Sequence, residues 1–298
     1  MSFRRVATVV FLLAFGVLAG STASAQKSKL EVARKNILAK VEKSGTDVGI
    51  AFRTLDGKDE WYSRADESFH AASTMKVPVL IELFHQVKDG KLKLSDSLVV
   101  RNEFRSIVEG SPYNLDAADD SEADLYKAEG QTRTISQLAE LMITVSSNLA
   151  TNLLIEKLGV ENIRATVHSL GADGMNVLRG VEDGKAFEKG MNNTTTARGL
   201  ATLMTAIADG KAVDPESSQQ MVAILERQKF NEAIPAGLPA GTRVAHKTGD
   251  ITKVHHDAAI VFAKRPFVLV ILVRGIAEDK EAYKLIAAIA SDLYNATN

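Results

Sequence analysis

The sequence predicts an α+β fold: an antiparallel sheet flanked by terminal helices, with an all-helical lobe inserted into it. Three observations predict it. Segments with strand character lie near both ends of the chain, a long run of helical periodicity fills the middle, and no repeat, low-complexity tract or long linker divides it. The 298 residues are 45% hydrophobic and 24% charged, enough core for one large domain or two intertwined ones.

The elements follow in order. Leu30, Ala33, Ile37, Leu38 and Val41 fall on one stripe, which predicts a helix over Lys29 to Lys43. TDVGIAFRTL then reads as a strand, DGKD as its turn and EWYSR as the returning hairpin partner. Helical patterns follow at Thr74–Val87, Ile135–Val145, Ala150–Leu158, Glu161–Leu170, Thr195–Ala208 and Pro215–Arg227. HDAAIVFAK and PFVLVILVRG are two more strands, joined by a turn at Lys264-Arg265-Pro266, and Glu278 to Tyr294 is a closing helix. The sheet-bearing lobe should therefore come from residues 26–68 and 212–298, and the helical lobe from about 69–211. A site would lie between two such lobes.

The first 25 residues are expected to be a secretory signal peptide rather than part of the fold. Arg4 and Arg5 form a basic start, Val6 to Leu18 is an apolar run too short to span a bilayer comfortably, and Ala23-Ser24-Ala25 is a small-residue cleavage site. The expected mature chain, 26–298, is periplasmic or secreted. Losing the two arginines takes its net charge from −1 to −3. No basic excess points to nucleic acid. The absence of cysteine excludes disulfides, thiolate metal sites, a cysteine nucleophile and a lipidated cysteine anchor. The six histidines show no metal-ligand spacing. No metal or organic cofactor is expected, and a monomer is the default for such a chain.

Three short stretches carry possible chemistry. In FHAASTMKVPVL, Ser73 and Lys76 would share one face of a helix starting near Ser73. A lysine there can take the serine's proton if burial keeps it neutral, and first-turn N–H groups can receive an oxyanion. An N-cap serine followed by a surface lysine has the same spacing, and Ser24-Ala25-Gln26-Lys27 matches it too. In TVSSNLATNLL, Ser146 and Asn148 stand two apart at a helix junction, where a serine can relay a proton and an asparagine can hold a carbonyl. A capping serine and a loop-tethering asparagine are the plain alternative. In VAHKTGD, Lys247 and Thr248 can hold a carboxylate, and Gly249 leaves room for a substrate along an edge strand.

The order and context of these stretches resemble the penicillin-recognising serine hydrolases, specifically the class A β-lactamases, whose signatures are S-x-x-K, S-D-N and K-T-G. Here they stand as Ser73-Thr74-Met75-Lys76, Ser146-Ser147-Asn148 and Lys247-Thr248-Gly249. SSNLATNLLIEKLG and NTTTARGLATLM extend the likeness over nearly all of residues 26–298. The resemblance implies a β-lactamase/transpeptidase-like fold and hydrolysis of a β-lactam through an acyl-serine. Ser73 would attack, Lys76 would help to activate it, Ser146 would pass a proton to the lactam nitrogen and Lys247 would polarise Ser146. Asn148 would hold the substrate's amide side chain and Thr248 its carboxylate. The backbone N–H groups of Ser73 and Asp250 would form the oxyanion hole. A D,D-peptidase or esterase on the same scaffold, or a sensor that is acylated without turnover, are the alternatives.

The chain departs from the family pattern in four places. Ser147 replaces the aspartate of S-D-N. The loop pattern R-x-E-x-x-x-N becomes R-x-x-E, so Glu182 is one place late as the deacylating base and Ala186 stands where asparagine is expected; Asp183 and Glu188 are alternative bases. The acidic segment from Asn102 to Thr132 is long: it reads as a surface excursion, with a lip over the site that would offer Tyr113 as a wall as the alternative. No arginine follows K-T-G, leaving Lys253, His255 and His256 as nearby cations, with His256 the candidate for a substrate carboxylate. Asp250 beside the site should repel an anionic substrate unless a cation pairs with it.

Overall fold

The computed structural model describes the backbone of residues 14–298 and the side chains of residues 29–298. The side chains of the expected signal peptide lie outside the described residues. Among the described residues there are ten α-helices: α1 (Ala14–Ser44), α2 (Lys76–Lys88), α3 (Ala123–Tyr126), α4 (Ile135–Thr144), α5 (Asn148–Leu158), α6 (Val160–Ser169), α7 (Gly184–Glu188), α8 (Ala197–Ala208), α9 (Pro215–Leu225) and α10 (Asp279–Thr297). Five strands make the main sheet: β1 (Asp47–Thr54), β2 (Glu60–Ser63), β9 (Arg243–Ile251), β10 (Val254–Phe262) and β11 (Phe267–Arg274). Their order is β2-β1-β11-β10-β9, with every pair antiparallel.

This sheet is buried on both faces, and the strand sequences say why. In β11, Val268, Val270 and Leu272 join the core shared with the helical lobe, while Phe267, Leu269, Ile271 and Val273 join the core under α1 and α10. The period of two splits an unbroken apolar run between two cores. Ala51 in β1 and Ala258 and Ile260 in β10 face the helical lobe; Val48, Ile50, Phe52, Ala259 and Val261 face the terminal helices. Each large aliphatic side chain so buried contributes about 1.5–3 kcal/mol.

The helical lobe holds more than helices. Six short strands, β3 (Phe69–His70), β4 (Ser97–Val99), β5 (Phe104–Arg105), β6 (Pro112–Tyr113), β7 (Thr132–Thr134) and β8 (Thr194–Thr195), pair as β3-β8, β4-β7 and β5-β6. Ribbons of two or three residues carry too little periodicity to show in a sequence. The helix starts are chemically marked. Thr134 and Gln137 form a capping box on α4, Thr196 caps α8, and Asp214 caps α9 with Pro215 in its first turn. Around Ser73 the helix is entered by a tight 3-10 turn, Ala72–Met75, and α2 proper starts at Lys76.

Candidate active site

The site forms where the start of α2, the α4–α5 junction, the loop before α7 and edge strand β9 converge. Two cavities open there, of 530 and 410 Å³, and both are lined by Ser73, Asp119, Asn148 and Asp250. Strand β9 can come this close only because residue 249 is glycine. A Cβ there would lie 3.0 Å from the Thr74 amide nitrogen and 3.1 Å from that of Ser73. The peptide after Gly249 is thereby held against the backbone N–H of Ser73.

Around this cleft a chain of hydrogen bonds links the polar residues. Lys247 Nζ donates to Ser146 Oγ (3.0 Å) and to the Thr248 carbonyl (2.8 Å). Lys76 Nζ donates to Ser146 Oγ (3.1 Å), to the Ser146 carbonyl (2.6 Å) and to Asn148 Oδ1 (2.8 Å). Asn148 Nδ2 in turn donates to Glu182 Oε1 at 2.6 Å. Ser146 Oγ thus accepts from both lysines, which leaves its own proton to be given elsewhere. The Asn148 amide is oriented unambiguously, with a donor on its oxygen and a carboxylate on its nitrogen. Ser73 Oγ forms no hydrogen bond with the described residues and lines both cavities.

Burial sets the proton affinities. Lys76 is completely buried. Desolvation pushes its pKa well below the usual lysine value, and the charge of Lys247 pushes in the same direction. Desolvation also lowers Lys247, to about 7. Glu182 moves the other way: partial desolvation raises it, against the hydrogen bond from Asn148 that lowers it. A lysine whose pKa is lowered and a carboxylate whose pKa is raised, joined through the Asn148 amide, have proton affinities shifted toward one another, as acid–base groups need.

Three residues here hold a left-handed backbone without being glycine: Ala72 (φ 44°), Ser146 (φ 59°) and Glu182 (φ 61°). Such strain costs about 1–3 kcal/mol per residue and persists only where the surroundings enforce it. His70 helps to enforce the first. Its Nδ1 accepts from the Ala72 N–H at 3.0 Å, one residue before Ser73.

Of the three carboxylates weighed in the loop before and within α7, the structure joins only Glu182 to the network. Asp183 caps α7, and its two oxygens accept from Ser106 Oγ, Ile107 N and Ala186 N. Burial pushes its pKa up, but those three bonds outweigh it and hold the carboxyl below the ordinary value. Glu188 is exposed on α7 and lines neither cavity. The loop is anchored by residues that the sequence did not single out. Asn193 Oδ1 accepts from Leu178 N (2.8 Å) and Arg179 N (3.1 Å), and Asn152 bonds both the N–H and the carbonyl of Val181. A side chain at Gly180 would meet Asn152 Oδ1 at 2.6 Å, so this clamp requires glycine.

Two expectations are corrected. His256 cannot receive a substrate carboxylate: it is fully buried, its Nε2 donates to the His70 carbonyl (2.8 Å) and its Nδ1 accepts from Val273 N (3.2 Å). Desolvation lowers its pKa to about 4, so it is a neutral spacer under the nucleophile strand. Tyr113 is not a cavity wall. Its ring tilts against Phe104 and its hydroxyl donates to the Val181 carbonyl at 3.3 Å, which supports the loop from behind. The acidic segment does reach the cavities, through Asp119 and Ser121. Of the other two candidate cations, Lys253 stands exposed in the β9–β10 turn, and His255 Nδ1 pairs with Asp250 at 3.0 Å. Tyr283 also donates to Asp250 at 3.0 Å, so Oδ1 of that carboxylate is held by two partners.

The acidic segment supplies a further residue, Asp120. Its Oδ2 accepts from Ser147 Oγ (3.2 Å), Asn148 N (2.8 Å), Leu149 N (2.9 Å) and Tyr126 OH (3.0 Å). A carboxylate from 27 residues upstream therefore sits on the first turn of α5, beside the serine that replaces the triplet's aspartate. Asp120→Ala strands these buried donors and should cost about 2–3 kcal/mol, read as a lower urea midpoint. Asp120→Asn, which keeps an acceptor oxygen, should lose less; equal losses would mean that the contact is not charge-assisted.

The family model described as the β-lactamase enzyme family matches residues 29–297. A β-lactamase of Rhodobacter capsulatus is 28% identical over 219 residues, 72% of this chain and 70% of that protein. Among solved structures, a β-lactamase from Sphaerobacter thermophilus superposes with a TM-score of 0.77 at 27% identity, covering 89% of this chain and 96% of its own. PBP-A superposes at 0.71 with 30% identity, covering 84% and 89%, and a mutant of it has been solved as an acyl-enzyme complex with penicillin G. A family match that runs through nearly every described side chain, on the fold and around the serine–lysine cleft set out above, places this chain in the β-lactamase enzyme family, among the class A and penicillin-recognising serine hydrolases.

Proposed function

We propose that the protein is a serine β-lactamase that opens the lactam amide through an ester on Ser73. The observation that carries this reading is the unbroken path Lys247–Ser146–Lys76–Asn148–Glu182 around the cavity that Ser73 lines. Lys76, whose hold on its own proton is weakened by burial, takes part in removing the Ser73 proton as the Ser73 oxygen attacks the lactam carbonyl. The developing oxyanion lies against the backbone N–H groups of Ser73 and Asp250. The C–N bond breaks as Ser146 gives its proton to the leaving nitrogen; the proton that Lys76 took from Ser73 then passes to Ser146 along their hydrogen bond, while Lys247 supports the charge on Ser146. Asn148 holds the acyl amide and Thr248 the ring carboxylate. Glu182 then takes a proton from a water that attacks the ester, and as the acyl C–O bond breaks a proton is returned to the Ser73 oxygen, which releases the acid and leaves Glu182 and Ser73 as they began.

Export fits the basic-apolar-small pattern of the first 25 residues. No described helix is long and apolar enough to cross a membrane. Outside the cell membrane such an enzyme would meet β-lactams before they reach their targets and so confer resistance. We further propose that it acts as a monomer.

The test is to mix residues 26–298 with a chromogenic cephalosporin and to digest a penicillin-quenched sample for mass spectrometry. Sustained turnover with the acyl group on the peptide containing Ser73, both lost in Ser73→Ala, is the expected result. A label elsewhere, or none on folded protein, overturns it. The one-place shift of Glu182 favours a second reading, in which one equivalent is bound and held. A burst of a single turnover would establish that reading instead.

A further inference from the structure

The 410 Å³ cavity has a charge balance unsuited to a simple anionic substrate. It contains Ser73, Ser146 and Thr248, so it is the side of the cleft that faces the lactam nitrogen and the ring carboxylate next to it. No arginine, lysine or histidine lines it; Lys247 lies behind the wall with its Nζ committed to Ser146 and Thr248. Three carboxylates do line it: Asp119, Glu232 and Asp250. Asp250 Oδ1 is already engaged by His255 Nδ1 and by the Tyr283 hydroxyl. Asp119 and Glu232 are exposed and form no ion pair or side-chain hydrogen bond with the described residues. They come from two separate segments, one from the acidic stretch and one from the chain after α9.

Resting on the proposed lactam chemistry, we propose that this cavity selects β-lactams with a cationic group beside the ring carboxylate. A quaternary nitrogen on the C3 methylene of a cephalosporin is the simplest case. A lone ring carboxylate meets two uncompensated negative charges. A zwitterionic substrate presents its carboxylate to Thr248 and Ser146 and its cation to Asp119 and Glu232.

The test uses two cephalosporins with the same acyl side chain, one acetoxymethyl and one pyridiniomethyl at C3. The readout is the ratio of their kcat/KM values, pyridinium over acetoxy, compared between proteins and salt concentrations so that intrinsic lactam reactivity cancels. In Asp119→Asn/Glu232→Gln the ratio should fall about fivefold at low salt, with the acetoxymethyl compound gaining and the pyridinium compound losing. In the unaltered protein the ratio should fall by a similar factor between roughly 0.01 M and 1 M salt. The single variants should each show part of the change, which keeps the test decisive if the double variant folds poorly. Turnover of both compounds at a ratio blind to salt and to these substitutions overturns the inference and leaves the lactamase reading intact. Acylation by neither overturns both.

Discussion

Glu182→Gln is expected to trap the enzyme as its acyl-serine. The kcat for a penicillin should fall by about 10³-fold, the upper-middle range for loss of a positioned general base. KM should fall with it, because a slow second step lets the acyl-enzyme accumulate at low substrate. Their ratio, which reports acylation, should hardly move. The geometry calls for this split. Glu182 meets the network at the Asn148 amide, two hydrogen bonds away from Lys76, and glutamine can keep the bond from Asn148 through its own carbonyl oxygen. What glutamine cannot do is accept the proton of a water. Rapid-quench mass spectrometry would follow the acyl-enzyme directly. A drop in kcat/KM as large as that in kcat would assign Glu182 to acylation instead.

The second large effect concerns the lysines. Lys76→Met should lower acylation by about 10³-fold at every pH, because it removes the base and empties the hydrogen bonds to Ser146 and Asn148 together. Lys247 governs the pH profile. Its pKa is lowered to about 7, so the cation that supports Ser146 is present below that pH and disappears above it. The kcat/KM profile should therefore fall on the alkaline side with a midpoint near 7. Lys247→Arg keeps its charge throughout the assay range, so a folded variant should lose that alkaline limb even if its maximum is lower. An unchanged limb in Lys247→Arg would take Lys247 out of the proton relay.

What the sequence made legible was local. Ser73 and Lys76 sit one turn apart, Ser146 and Asn148 straddle a helix start, and Lys247 to Gly249 follow one another on a strand, so each signature is a short-range pattern. The double burial of β11 was likewise readable as an unbroken apolar run. What stayed hidden depends on distant partners. Asp120 reaches Ser147 only because the acidic segment folds back over α5, and nothing in DDSEAD marks which carboxylate will do so. Strand alternation puts His255 and His256 on opposite faces, but does not say what each face meets: a carboxylate for one, a carbonyl and an amide for the other. The left-handed backbone of Ala72, Ser146 and Glu182 was invisible for the same reason, since none is a residue that prefers it.

The strand order also has a consequence for how the molecule is made. β1 pairs with β11, and Arg274 meets Asp47 across 227 residues of chain. The central sheet therefore cannot close on a ribosome-bound chain until the last strand has emerged, and α1 has no α10 to pack against before then. Until then β1 has only β2 beside it, and the two-stranded ribbon waits for the segment made last.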